Sequence, residues 1–165
     1  MRPNSIAGAA SERALLGALM LLPLDRVQQC LRAVEDEDLA DPHLRIILGA
    51  MRGLAGNGVP TDAVAVQAHL RSAGHVSTAS MGNLSLLLAE LVSVNTVPLP
   101  EAVDTYASAV VEEAVRRQLV ELSAGVQDLA QQGPRERIPE HVSVLTSLMV
   151  AATRRLDRQS LAGVS

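Results

Sequence analysis

The chain has no lysine, no phenylalanine and no tryptophan; tyrosine and cysteine occur once each, as Tyr106 and Cys30, in 165 residues. Each shortage excludes some chemistry. Without lysine there is no Walker A loop, whose lysine must reach the β/γ-phosphates, and no Schiff-base or kinase-type lysine. With a single aromatic there is no stacking platform for single-stranded nucleic acid and no aromatic cage for quaternary cations. A single cysteine rules out an intrachain disulfide and favours a reducing compartment. The longest apolar run, Ala14 to Leu24, is eleven residues, too short to cross a bilayer. Its flanks lack the cleavage site of a signal peptide, so the expected location is cytoplasmic, away from membranes.

What remains is a helix-forming composition. Apolar residues make up 48% of the chain and charged residues 19%, with mean hydropathy +0.21, net charge −4 and a pI near 5.5. Such a chain folds, and no basic field draws polyanions to it. Its 17.4 kDa fit one domain or a domain with an extension.

Apolar residues recur at helical spacing almost throughout, and no segment alternates as a strand does. Ser11 reads as an N-cap, followed by Leu15, Leu16 and Leu19 on one face up to Pro23. Leu24, Val27, Leu31 and Val34 make a second short helix, and Glu35 to Asp38 read as a solvated turn. Asp41-Pro42 opens a third, with Leu44, Ile47, Leu48, Met51 and Leu54 as its stripe and Gly56-Asn57-Gly58 as its stop. Thr61 or Asp62 caps a fourth, whose inner face is expected at Val64, Ala68 and Leu70 or the stem of Arg71, with Gly74 closing it. A fifth covers about Gly82 to Val94, with Leu84, Leu87, Leu88 and Leu91 inward.

Beyond Pro98 and Pro100 the pattern lengthens. From Glu101 to Gln132 only Gly125 interrupts, and Val103, Ala107, Val111, Val115, Leu119, Leu122, Val126 and Leu129 approach a heptad seam. After Gly133-Pro134, Val142, Leu145, Met149, Ala152 and Leu156 continue on another helix. Two long helices joined by a short turn make an antiparallel hairpin, which leaves an apolar seam wet unless a second chain covers it. The expected fold is therefore all-α. A compact bundle of five or six short helices (5–97) precedes a long antiparallel helical hairpin (101–158) that dimerises, and 159–165 form a frayed tail. Val111, Val115, Leu119, Leu122, Val126, Leu145 and Met149 are the candidate interface residues, some of which must close the hairpin itself.

Catalytic constellations do not stand out. His43, His69, His75 and His141 are scattered, with no tight ligand pairs for zinc. Cys30 reads as a small core residue and Glu112-Glu113 as a solvated face. Gly53, Gly56 and Gly58 follow a helix, where they serve as a cap and not a phosphate loop. The chain is read as non-enzymatic, with no cofactor. Arginines gather near the hairpin turn and in its last helix: Arg135, Arg137, Arg154 and Arg155 are candidates for contacts with phosphates or with acids of a partner.

A string of local patterns then resembles the N-terminal domain of DnaB-type replicative helicases, in its actinobacterial branch. The patterns are Ser11 to Ala18, Asp41-Pro42-His43-Leu44-Arg45, Gly58 to Val66, Val94-Asn95-Thr96-Val97-Pro98 and Tyr106 to Ala114. They run in order from about residue 5 to 132. The resemblance implies a scaffold: the family's domain pairs through its hairpins, three dimers form a collar on the helicase ring, and the collar receives the primase or a helicase loader. A full-length relative is an ATP-dependent helicase, whose RecA-like motor has no counterpart in these residues. Leu39 and Leu48 stand where the family has aromatics, the family tyrosine near Leu84 is missing and Glu113 replaces a family lysine, so no primase-contact residue carries over. The expected partners are a second copy, extending to a trimer of dimers, and a primase, loader or helicase. The alternative is a regulator that binds DNA or a nucleoprotein through the arginine-rich hairpin end.

Overall fold

The computed structural model describes residues 3–73, 78–93, 100–132, 136 and 138–162, and its regular structure is helical throughout. Helix α1 spans Pro3–Leu19, α2 Leu24–Ala33, α3 Pro42–Gly56, α4 Ala63–Ser72, α5 Thr78–Ser93, α6 Pro100–Gln132 and α7 Ile138–Ala162, with a 3-10 turn at Asp36–Asp38. The all-α class expected from the periodicity is the class observed. The chain falls into two compact units, residues 1–110 and 111–165, so the division lies within α6. Of the hinge expected from the proline punctuation near Asn95 to Pro100, residues 95–99 lie outside the described residues, as do the α4 stop at Gly74, Arg135 and Arg137, and Pro100 opens α6.

In the first unit α3 is central, packing on α1, α2 and α4, while α5 lies against α1 and α4. Its stripe Leu44, Ile47, Leu48, Met51 and Leu54 is buried, as are Leu15, Leu16 and Leu19 of α1 and Leu84, Leu88 and Leu91 of α5. Asp41 starts α3 by accepting the His43 amide at 2.8 Å, with Pro42 in the first helical position. The chain then turns through Asn57 and Gly58, whose φ of 73° suits a residue without Cβ.

Side chains from elsewhere in the unit take up the carbonyls that helix C-termini leave unpaired. Thr61 Oγ1 donates to Leu19 O at 3.1 Å at the end of α1. Arg52 donates to Leu31 O at 2.6 Å and to Val34 O at 2.7 Å at the end of α2. Gln28 Nε2 donates to Ala55 O at 2.8 Å at the end of α3. Glu12, buried in α1, accepts the Ala40 amide at 2.8 Å and the Asp41 amide at 3.4 Å, fixing the approach to α3.

Three local expectations are corrected. Ser11 is not an N-cap, because α1 already begins at Pro3 and the alanine-rich segment before Ser11 propagates helix. The acidic run is not wholly solvated: Asp38 is buried, and its carboxylate accepts the Glu35 amide at 2.7 Å in a capping box. On α4 the inner face is Val66 and Leu70, whereas Val64 and Ala68 are exposed. Asp62 accepts the Val64 and Ala65 amides, both at 3.0 Å, and Thr61 is held inward by α1. Those bonds set the phase of α4 and turn Val64 outward.

Candidate functional site

The second unit holds the residues that sequence reasoning singled out. Helix α6 is 33 residues long, roughly 50 Å at 1.5 Å per residue. Its start is well covered: Val103, Ala107, Val110, Val111, Ala114 and Val115 are all buried. From Gln118 to Gln131 only Leu122 and Leu129 are even half-buried. Covered positions therefore recur every seven residues, at Val115, Leu122 and Leu129. On α7 the same interval separates half-buried Leu145 from buried Ala152. A seven-residue repeat is the mark of helices that pack along their length.

A second apolar row runs beside the first. Leu119 and Val126 on α6 are 42% and 40% exposed, and Val142 and Met149 on α7 are 52% and 46% exposed. Each pair is again seven residues apart. With the covered row, the steps on α7 from Ile138 through Val142, Leu145, Met149, Ala152 and Leu156 are 4, 3, 4, 3 and 4. Both halves of a heptad seam are thus present, and only one half is covered within the chain. Between His141 and Thr153 there is no Asp, Glu, Lys or Arg, although most of that stretch is exposed. A solvated helix surface ordinarily carries charge, and this stretch carries none.

The exposures divide the candidate interface residues, a division the spacing left open. Val111 and Val115 are buried within the chain, Leu122 and Leu145 are half-buried, and Leu119, Val126 and Met149 remain accessible. Val142 belongs with the accessible set. The sequence marks it as an apolar helix position, and the alternation of 4 and 3 along α7 places it in the same row as Met149.

Arg154 is exposed and Arg155 half-buried, with Arg135 and Arg137 outside the described residues. Arg116 is paired with Glu112 one helical turn away, a solvated pair of small energetic weight. Among the described residues no three His, Cys, Asp or Glu side chains gather in a metal-binding group. Cys30 is buried in α2; desolvation, reinforced by Asp104, pushes its thiol up to about 12, which removes it as a nucleophile at neutral pH. No helix is long and apolar enough to cross a membrane among the described residues.

Comparison with known proteins points to one family. The family described as DnaB-like helicase N terminal domain matches residues 3–112. The replicative DNA helicase DnaB of Leifsonia xyli subsp. xyli is 32% identical over 111 residues, which cover 67% of this chain and 23% of that helicase. The chain therefore spans about a quarter of the length of the curated relative it matches. The crystal structure of the N-terminal domain of DnaB helicase from Mycobacterium tuberculosis superposes with a TM-score of 0.69 at 29% identity, over 86% of this chain and 95% of that one.

Proposed function

The chain belongs to the family of DnaB-like helicase N-terminal domains, and from that premise we propose that it is a non-catalytic assembly module of DNA replication that pairs with a second copy through α6 and α7. The observation that supports this reading is the half-covered seam. Leu119, Val126, Val142 and Met149 form the accessible row of a heptad pattern whose other row the chain already covers. A partner seam of the same kind completes the pattern, and a twofold pairing brings like to like. Such a dimer is the unit from which a trimer of dimers and a helicase collar are assembled. Primase, a helicase loader or the helicase itself are the proposed further partners.

Each accessible side chain is about half covered already, so burying the rest is worth about 1 kcal/mol per residue. A twofold interface counts every substitution twice, so losing one such residue weakens pairing by about 2 kcal/mol, roughly 30-fold in Kd. Sedimentation equilibrium tests this. Leu119→Glu or Met149→Glu is expected to yield a monomer with unchanged helix content. A wild-type chain that stays monomeric at high concentration, or variants that still pair, would refute the proposal. Filter binding to DNA across a salt series tests the competing DNA-regulator reading, which requires affinity falling steeply with salt.

A further inference from the structure

A second surface lies in the first unit, on elements the proposed pairing does not use. Four chain segments meet at one end of this unit: the C-terminus of α1, the N-terminus of α2, the loop after α3 and the N-terminus of α4. Two side-chain bonds hold them together. Thr61 Oγ1, itself buried, donates to Leu19 O at 3.1 Å, tying the α3–α4 loop to α1. Gln28 Nε2 donates to Ala55 O at 2.8 Å, tying α2 to the end of α3.

The apolar residues beside these ties are left in solvent. Val64 is 77% exposed, the most exposed large apolar residue among those described; Leu21 is 49% and Val59 39% exposed. Pro23 and Pro60 are exposed as well. Single exposed apolar residues are ordinary, but all five of these lie within four residues of Leu19 or Thr61, which one hydrogen bond holds together, and so make a patch. The patch is also pinned: Thr61 and the cap at Asp62 fix the α4 phase that faces Val64 outward.

The charge at its edge has one sign. Asp25 and Asp62 are exposed there. Arg26, the adjacent cation, is engaged by Gln29 at 2.6 Å and by Asp104 at 3.3 Å. An apolar centre with a carboxylate rim complements an apolar surface rimmed by cations. It disfavours an anionic membrane, whose headgroups the rim repels.

We propose that Leu21, Val59 and Val64, rimmed by Asp25 and Asp62, dock a cationic amphipathic helix of another protein. The apolar face of that helix covers Val64 and Leu21, and its arginines or lysines meet the two carboxylates, in the manner of a helix laid on a groove.

An NMR titration of the full chain tests this. The probe is a synthetic 16-residue amphipathic helix with leucine on one face and arginine on the other; its control carries glutamate for arginine. Shifts are expected at 19–25 and 57–65 with the arginine peptide alone. Val64→Arg is expected to weaken binding at least tenfold. Asp25→Asn with Asp62→Asn, which keeps the α4 cap, is expected to weaken it several-fold and flatten its salt dependence. The proposal is overturned by shifts centred on α6 and α7, by equal response to both peptides, by undiminished affinity in Val64→Arg, or by binding of the chain to anionic vesicles through these residues.

Discussion

At the scale of single residues, the first unit depends on a few polar side chains that satisfy backbone groups at a distance. Arg52 is the clearest case. Its guanidinium serves Leu31 O, Val34 O and Asp36, which is 3.0 Å away, and so ties α2, the 3-10 turn and α3 into one joint. Arg52→Met keeps the aliphatic stem and removes the donors. It is expected to lower stability by about 1–3 kcal/mol, read as a falling midpoint in thermal or urea unfolding. Cys30 makes a prediction about pH. Burial raises its pKa from about 9 to about 12, so between those values the unfolded chain loses a proton that the folded chain keeps. Deprotonation then favours the unfolded state, and Cys30 contributes a stability that is complete below about pH 9 and declines as pH rises toward 12. Cys30→Ala is expected to flatten that alkaline decline. In the wild type, a thiol reagent at pH 8 is expected to react only as fast as the protein unfolds.

At the scale of helices, caps and glycines explain where elements begin and stop. Gly125 sits in the interior of α6, exposed, and a Cβ built there meets nothing within 4 Å. Gly125→Ala is therefore expected to stabilise α6 by about 0.5–1 kcal/mol, seen as a higher melting temperature. Gly58 behaves oppositely. Its surroundings are equally open, but its φ of +73° is costly for an L side chain, so Gly58→Ala is expected to destabilise by about 1 kcal/mol in the same assay. At Gly53 the limit is steric: an added Cβ would sit 3.2 Å from His69 Nε2, where α3 and α4 pack together.

At the scale of the whole molecule, the two units differ in how far each completes its own core. The first closes over α3. The second keeps one row of its heptad pattern at 40% exposure or more. Leu122 separates pairing from folding. It belongs to the more covered row, so Leu122→Arg is expected to disturb the second unit itself, with loss of helix content or aggregation. Leu119→Glu is expected to abolish pairing alone, and circular dichroism beside sedimentation distinguishes the two outcomes.

The sequence by itself determined the all-α class, the buried stripe of α3 and the length of α6. These follow from periodicity, from Asp41-Pro42 and from a run between Glu101 and Gln132 that only Gly125 interrupts, which are local properties of the chain. It did not determine which side of α4 faces inward, because Val64 and Val66 are equally apolar; the bond from Thr61 to Leu19 O and the cap at Asp62 set the phase that selects between them. Nor did it separate Val115 from Leu119, or Leu145 from Met149. Neighbouring heptad positions have the same chemistry, and which of them is covered depends on where another helix lies. Burial is a property of the packed molecule. Only the tertiary structure therefore decided which apolar residues stay exposed.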